Sequence, residues 1–247
     1  MNINCKNYGS EASVHGVSFS IETGELHGLL GPNGSGKSTV INGIAGVISL
    51  DSGLVEIAGH RFSDSAAKAQ MSYVPDELPM PTSLSGNEFL DFTARLSRST
   101  NRSWQRTLVE VFDLERHLGK FVGECSHGTK KKLQIVAAVA ACPRLLILDE
   151  PFRGLDAEAT ETLLAILQTH RARGGAVLLA THDLSFADDE CSHVTILDRG
   201  CVVASGRPDE LRLEFDRANL ATVFLRVSQL EDKRENTALR IASDWPA

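Results

Sequence analysis

The 247-residue chain has little that points outside a cell or into a membrane. Its five cysteines, Cys5, Cys125, Cys142, Cys191 and Cys201, are odd in number and form no C-x-x-C pair. Free thiols in a reducing compartment are therefore expected. The first residues, Met1-Asn2-Ile3-Asn4-Cys5-Lys6, lack the apolar core of a signal peptide. The most apolar stretch, Leu133 to Leu148, is interrupted by Pro143 and Arg144 and is too short to span a bilayer. A basic excess is missing too: 25 Lys and Arg against 32 Asp and Glu leave a formal charge of -7. That argues against a general nucleic-acid binder. No Asn-Lys-x-Asp guanine-reading motif and no extended heptad pattern is found. The hydrophobic share, 42%, is ordinary for a globular protein, and the length is enough to bury a full core.

Against these absences stands Gly31-Pro32-Asn33-Gly34-Ser35-Gly36-Lys37-Ser38-Thr39. It has the spacing of a P-loop, a glycine and four residues before Gly-Lys-Ser. Gly31, Gly34 and Gly36 let the backbone turn with its amides inward, Lys37 brings a point charge to β and γ phosphates, and Ser38 offers a hydroxyl to Mg²⁺. Leu26 to Leu30 reads as a buried strand before the loop, and Val40 to Ala45 as a helix after it. A strand, a glycine-rich turn and a helix N-terminus together make an anion site. The loop by itself leaves ATP and GTP both open.

Mixed β-branched segments and turns between Ile3 and Ile21, and a turn–strand–turn over Asp51 to Gly59, surround the P-loop with an antiparallel portion of sheet. Met71 to Val74 is a further strand, stopped by Pro75. Helical periodicity then takes over in Glu88 to Leu96 and Trp104 to Phe112, with no strand candidate between Val74 and Phe121. An all-helical lobe over about 83–140 is expected, inserted between core strands and ending in a helix from about Thr129 to Ala141. Leu145 to Asp149, Gly175 to Ala180, Val194 to Leu197 and Cys201 to Ala204 read as strands, the last two as a hairpin around Asp198-Arg199-Gly200. Helices are expected at Ala159 to Gln168, from Phe186 and from Asp209. Val223 to Val227 reads as a strand, and the charged run Glu231 to Glu235 as solvated surface.

Asp149 and Glu150 close an apolar strand. Asp149 suits Mg²⁺, directly or through water, and Glu150, one residue nearer the γ phosphate, suits the attacking water. His182 follows another strand and is placed to donate to a γ phosphate, with a purely structural histidine as the alternative. Ser126-His127-Gly128 precedes the lobe's long helix, and a serine and a glycine at a helix N-terminus form a second anion-binding surface. Taken alone it is also simply a cap, with Lys130, Lys131 and Lys132 as a solvated face. The lobe carries this surface away from the P-loop of its own chain, so a second subunit is the natural way to unite the two.

In order and spacing these elements resemble the nucleotide-binding subunit of ABC transporters over about residues 1–220. Gly31 to Thr39 matches Walker A, Cys125-Ser126-His127-Gly128-Thr129 the signature, and Leu145 to Glu150 Walker B. Phe152 to Asp156 resembles the D-loop, and Thr181-His182-Asp183 the switch histidine. The resemblance implies a P-loop NTPase α/β fold, a three-layer core with an N-terminal antiparallel β portion and an inserted helical signature lobe. Residues 221–247 are a short C-terminal extension to it. It implies ATP and Mg²⁺ as cofactors, and a homodimer, or a heterodimer with a related ATPase, with two ATP held between one subunit's Walker A and the other's Ser126 and Gly128. Pro32, Asn33, Ser35 and Thr39 join the phosphate contacts, Tyr8 stacks on adenine, Asp76 reaches the metal or its water, Glu150 is the catalytic base and His182 senses the γ phosphate. The implied partner is a separately encoded permease that holds the chain at the inner face of the cell membrane. The style of Gly24 to Gly31 and of the Pro75-Asp76 loop is closest to ABC-2 exporter ATPases, with a drug, peptide or lipid-like substrate.

Three departures stand out. His127 replaces a signature glycine, Cys125 a leucine, and Asp76 is shorter than the usual glutamine or glutamate, with Glu77 beside it. The rival expectation is a soluble ABC-type ATPase acting on nucleic acid or ribosomes. Such chains generally carry two cassettes, long coiled coils or zinc-binding cysteines, none of which is present.

Overall fold

The computed structural model describes residues 2–6, 14–49, 52–77, 79–97, 100–230, 237, 240 and 241, with the backbone alone for 2–6 and 52. Tyr8 and the run Glu231 to Glu235 lie outside the described residues. The chain opens with strands β1 (Asn2–Lys6), β2 (Val17–Ser20) and β3 (Leu26–Leu30), then helix α1 (Lys37–Ala45). β4 (Ser52–Ile57), β5 (His60–Arg61), α2 (Ser65–Lys68) and β6 (Met71–Val74) follow. The lobe contributes α3 (Gly86–Leu96), α4 (Arg102–Val111) and α5 (His127–Ala140). β7 (Leu145–Asp149), α6 (Ala157–Ala172), β8 (Ala176–Ala180), α7 (Leu184–Glu190), β9 (His193–Asp198) and β10 (Cys201–Gly206) complete the core, before α8 (Pro208–Glu214) and α9 (Leu220–Val227).

Two sheets form. One runs β2-β1-β4-β5 and is antiparallel; the other runs β10-β9-β3-β8-β7-β6, parallel except for β10 at its edge. The P-loop strand β3 therefore has parallel neighbours on both sides, and most of the expected antiparallel portion is a separate sheet. β3, β7 and β8 are buried along their whole length, as strands covered on both faces must be.

The period of two along each strand divides the interior into two cores. Leu29, Leu145, Ile147 and Leu178 face α1 and the antiparallel sheet, in company with Val17, Phe19, Ile41 and Ile57. Leu30, Leu146, Leu148, Val177 and Leu179 face the other way, into a core shared with Phe89, Leu108, Phe112 and Leu133 of the lobe. The lobe thus has no separate interior. α5 packs on α3 and α4 and also on β6, and joins lobe to sheet.

Short polar side chains set the helix starts. Ser126 accepts from Thr129 N–H at 3.2 Å, Asp156 from Ala159 at 2.8 Å and Asp183 from Phe186 at 3.0 Å, so α5, α6 and α7 each begin two residues before the apolar periodicity indicates. Ser85 and Glu88 form a reciprocal capping box on α3.

One expected element differs in kind. Val223 to Val227 lies in helix α9, not in a strand. Val223, Leu225 and Val227 fall at period two, but the buried Leu220, Val223 and Phe224 fall at i, i+3 and i+4. Asn219 caps the helix through Thr222 N–H at 3.0 Å, and Asp188 of α7 accepts from Leu220 N–H at 2.9 Å. The boundary expected after residue 220 falls in the first turn of this helix. Among the described residues no helix is long and apolar enough to cross a membrane, and Cys125, Cys142, Cys191 and Cys201 are free.

Phe112, 2% exposed, plugs the shared core, whereas Phe121 is 53% exposed. Phe112→Ala is expected to cost about 3–5 kcal/mol of unfolding free energy. Phe121→Ala should change stability by less than about 0.5 kcal/mol in urea titrations of both variants. Equal costs would mean that the lobe does not share the sheet's core.

Candidate functional site

β3 delivers the chain to the P-loop in a fixed register. His27, buried in its middle, pairs through Nδ1 with Glu25 Oε1 at 2.7 Å and through Nε2 with Thr195 Oγ1 of β9 at 2.9 Å. Beyond Leu30 the loop closes on itself. A Cβ on Gly31 would sit 2.4 Å from Leu197 O, so only glycine fits there. Gly36, at φ 103°, precedes α1 without any side-chain cap. The first amides of α1 are thus left to an anion. Ser35, Lys37 and Val40 are buried, Thr39 is half-buried, and Asn33, Gly34 and Ser38 are exposed. Lys37 Nζ donates to Gly31 O at 2.7 Å and Pro32 O at 3.2 Å. Burial pulls its pKa down, against the pull of Glu150 and Asp149 in the other direction.

Opposite lie the carboxylates at the end of β7. Asp149 is 5% exposed. Its pKa is raised to about 6 by burial first, then by the nearby charges of Asp76 and Glu150. Glu150, in a left-handed backbone conformation at φ 46°, turns out of the strand, and its Oε1 lies 2.8 Å from His182 Nδ1. Thr181 Oγ1 donates to Glu150 Oε2 at 3.5 Å. His182 is 74% exposed, on the rim. A cleft of about 570 Å³ joins these pieces, walled by Gly31, Pro32, Asn33, Asp76, Glu150 and His182, with Arg153, Leu184 and Phe224.

The structure therefore brings Walker A, Walker B, the Asp76 loop and His182 to one cleft. Ser126 and Gly128 are not in its wall. They sit instead against the D-loop: a Cβ on Gly128 would meet Gly154 O at 2.5 Å, and one on Gly154 would meet the His127 ring at 2.4 Å. Lys132 Nζ lies 3.5 Å from Asp156 Oδ2 across the same seam.

Sequence reasoning missed several participants. Arg153 Nη1 donates to Asp76 Oδ2 at 2.9 Å, and Lys131 Nζ donates to the carbonyls of Pro75 and Asp76. Lys131 is not on a solvated face. It falls on the buried stripe of α5 with Gln134, Ile135, Ala138 and Val139, a spacing that was readable in the sequence. Phe224 reaches the cleft from α9, which the strand assignment hid.

The oxygen donors present suit a hard divalent cation. Asp76 Oδ1 is buried without a partner, Asp149 holds a proton more tightly than usual, and the Ser38 hydroxyl is exposed at the helix start. Among the described residues no three acidic, histidine or cysteine side chains form a ready-made cage. In the absence of metal and nucleotide, Asp149 binds a proton more readily folded than unfolded. Its contribution to stability therefore falls as pH rises from about 4 to about 6, then stays level. In EDTA, Asp149→Asn should be more stable than the parent by about 1–3 kcal/mol at pH 8, and equal to it at pH 4, in urea titrations at each pH. A variant less stable at pH 8 would contradict the buried-charge account.

The comparisons agree with this arrangement. A model described as ABC transporter matches residues 14–153, and one described as an AAA domain, putative AbiEii toxin of a type IV toxin–antitoxin system, matches residues 121–188. The chain is 35% identical to ABC-type transporter ATP-binding protein EcsA of Bacillus subtilis (strain 168), over 87% of this chain and 89% of that one. It is 33% identical to Nod factor export ATP-binding protein I of Burkholderia orbicola (strain AU 1054), over 83% and 69%. A solved ATP-binding subunit of an ABC transporter superposes with a TM-score of 0.86 at 33% identity, covering 92% of this chain and 98% of that one. The chain belongs to the ABC transporter family, as an ATP-binding and ATP-hydrolysing subunit.

Proposed function

We propose that two copies, or one copy and a related ATPase, close around two ATP·Mg²⁺ and hydrolyse them to drive a separate permease for export. The observation that carries the hydrolytic part is the Glu150–His182 pair at 2.8 Å, set beside Gly31 to Asn33 in one cleft. Lys37 and the open start of α1 take the phosphates, with Gly31, Pro32, Asn33, Gly34, Ser35, Gly36, Ser38 and Thr39 forming the loop around them. Ser38, Asp149 and Asp76 would hold the metal, which would supply charge neutralisation to the phosphates. Glu150 accepts a proton from the attacking water as its oxygen bonds to the γ phosphorus and the bond to ADP breaks. His182 holds Glu150 in place with Nδ1. Its Nε2 reaches a γ oxygen as a donor when the ring carries both protons, or when it turns from Glu150. Tyr8 stacks on adenine.

Ser126 and Gly128, outside the cleft wall of their own chain, complete the site of the other subunit. The permease is assigned to the lobe, where Phe92, Leu96, Val111 and Phe121 are large, apolar and exposed. Such a partner holds the subunit at the inner membrane face. Export is supported by the likeness to Nod factor export ATP-binding protein I. We read residues 1–220 as the nucleotide-binding domain and 221–247 as an extension from which Phe224 lines the cleft.

Glu150→Gln is expected to lower ATP turnover about 10²–10⁴-fold while keeping ATP binding. It should also accumulate an ATP-bound dimer by light scattering. A variant that stays monomeric with saturating ATP and Mg²⁺ sinks the sandwich. Export predicts ATP-driven accumulation of substrate in inside-out vesicles carrying the permease; uptake into right-side-out vesicles would reverse the direction.

A further inference from the structure

Lys131 is 1% exposed, in the middle of a helix whose other buried positions are almost all apolar. Lysine is almost never buried in this way unless its charge is met. The partners here come from neither α5 nor the lobe. Nζ donates to Pro75 O at 2.9 Å and to Asp76 O at 3.1 Å, two consecutive carbonyls of the loop that leaves β6. The same loop holds the Asp76 carboxylate, whose Oδ2 is taken by Arg153 and whose Oδ1 is buried without a partner at the cleft. Asp76, Asp149 and Glu150 favour the ammonium, Arg153 opposes it, and burial outweighs them. Five residues before Lys131, Ser126 caps the same helix, about 7–8 Å along its axis at 1.5 Å per residue.

We propose that Lys131 is a positioning residue of the nucleotide site, its ammonium tying the main chain of Pro75 and Asp76 to α5 so that Asp76 and the Ser126–Gly128 surface move as one piece. This rests on the reading of Ser126 and Gly128 as the face that closes a second subunit's site. The tie is chemical and directional. Two adjacent carbonyls and one ammonium fix the loop to the helix in one register, which the apolar contacts around them do not. A ligand that draws Asp76 toward the phosphates therefore shifts α5 at its start as well. A methionine would fill the same space and leave both carbonyls without a donor.

Hydrogen–deuterium exchange on the full chain reads this coupling without turnover. The parent is Glu150→Gln, diluted until light scattering reports monomer. ATP and Mg²⁺ are expected to slow exchange over 71–77 and over 126–133 together. With Lys131→Met added, 71–77 stays protected, 126–133 loses its protection, and the ATP needed for half-maximal dimer at high protein concentration rises about tenfold. Equal protection and equal ATP dependence in the Lys131→Met variant overturn the proposal. If that variant does not fold by circular dichroism, the parent decides. Protection of both stretches in the monomer supports the tie, and protection of 71–77 alone overturns it. Failure of the dimer reading is seen separately, as a parent that never dimerises at any concentration.

Discussion

A buried cation beside an open helix start is the constraint on which the rest depends. Lys37 cannot leave, because β3 is hydrogen-bonded to β8 and β9 and the loop cannot widen past Leu197. Its ammonium donates to the carbonyls of its own loop. Taking a lysine charge from water costs several kcal/mol, and two carbonyls return only part of it. A polyphosphate offers more to the same nitrogen and to the uncapped amides of α1. The site is thus preorganised for negative charge before any arrives, the condition under which electrostatic stabilisation needs little rearrangement.

The facing wall has the opposite imbalance. Asp149 has Asp76 and Glu150 for neighbours, and its pKa is raised by burial first and then by their charges, against the opposing charges of Lys37 and Lys131. Arg153 takes up one oxygen of Asp76, and the other has no partner. One wall carries Lys37 and the uncapped amides of α1, and the other Asp76, Asp149 and Glu150. A nucleotide with its metal meets both walls at once, while either alone meets only one. This distribution of charge, more than any single residue, suits the cleft to phosphate chemistry.

How much of this was legible follows from how local each signal is. The P-loop, the strand ends at Asp149 and Glu150, and His182 are each defined by neighbours within a few residues, and the structure brings them to one cleft. The inserted lobe was readable because periodicity changes from two to 3.6 over a long stretch. Val223 to Val227 was not, since a short apolar run satisfies both periods and only Asn219 and the partners in α7 and α8 decide it. Lys131 was assigned by composition to a lysine-rich face, though its spacing to Ile135 and Ala138 marks it as buried. What it bonds lies 55 residues or more away, as does the Arg153 partner at 77 residues' separation. No local rule reaches that far.

The departures of the sequence from its family acquire a physical setting here. His127 lies on Gly154, and Gly128 lies under the same residue's carbonyl, so signature and D-loop form one seam within a subunit. Lys132 and Asp156 face each other across it. The lobe shares its core with the sheet, and α5 packs on both. Apolar side chains along that helix tolerate many small offsets at nearly equal energy, because dispersion contacts are weak and undirected. The polar links of Lys131 to the Asp76 loop and of Lys132 to Asp156 tolerate few. The seam between lobe and sheet is therefore held together by the hydrophobic effect and held in register by a few polar links, and that register sets where Ser126 and Gly128 stand at the start of α5.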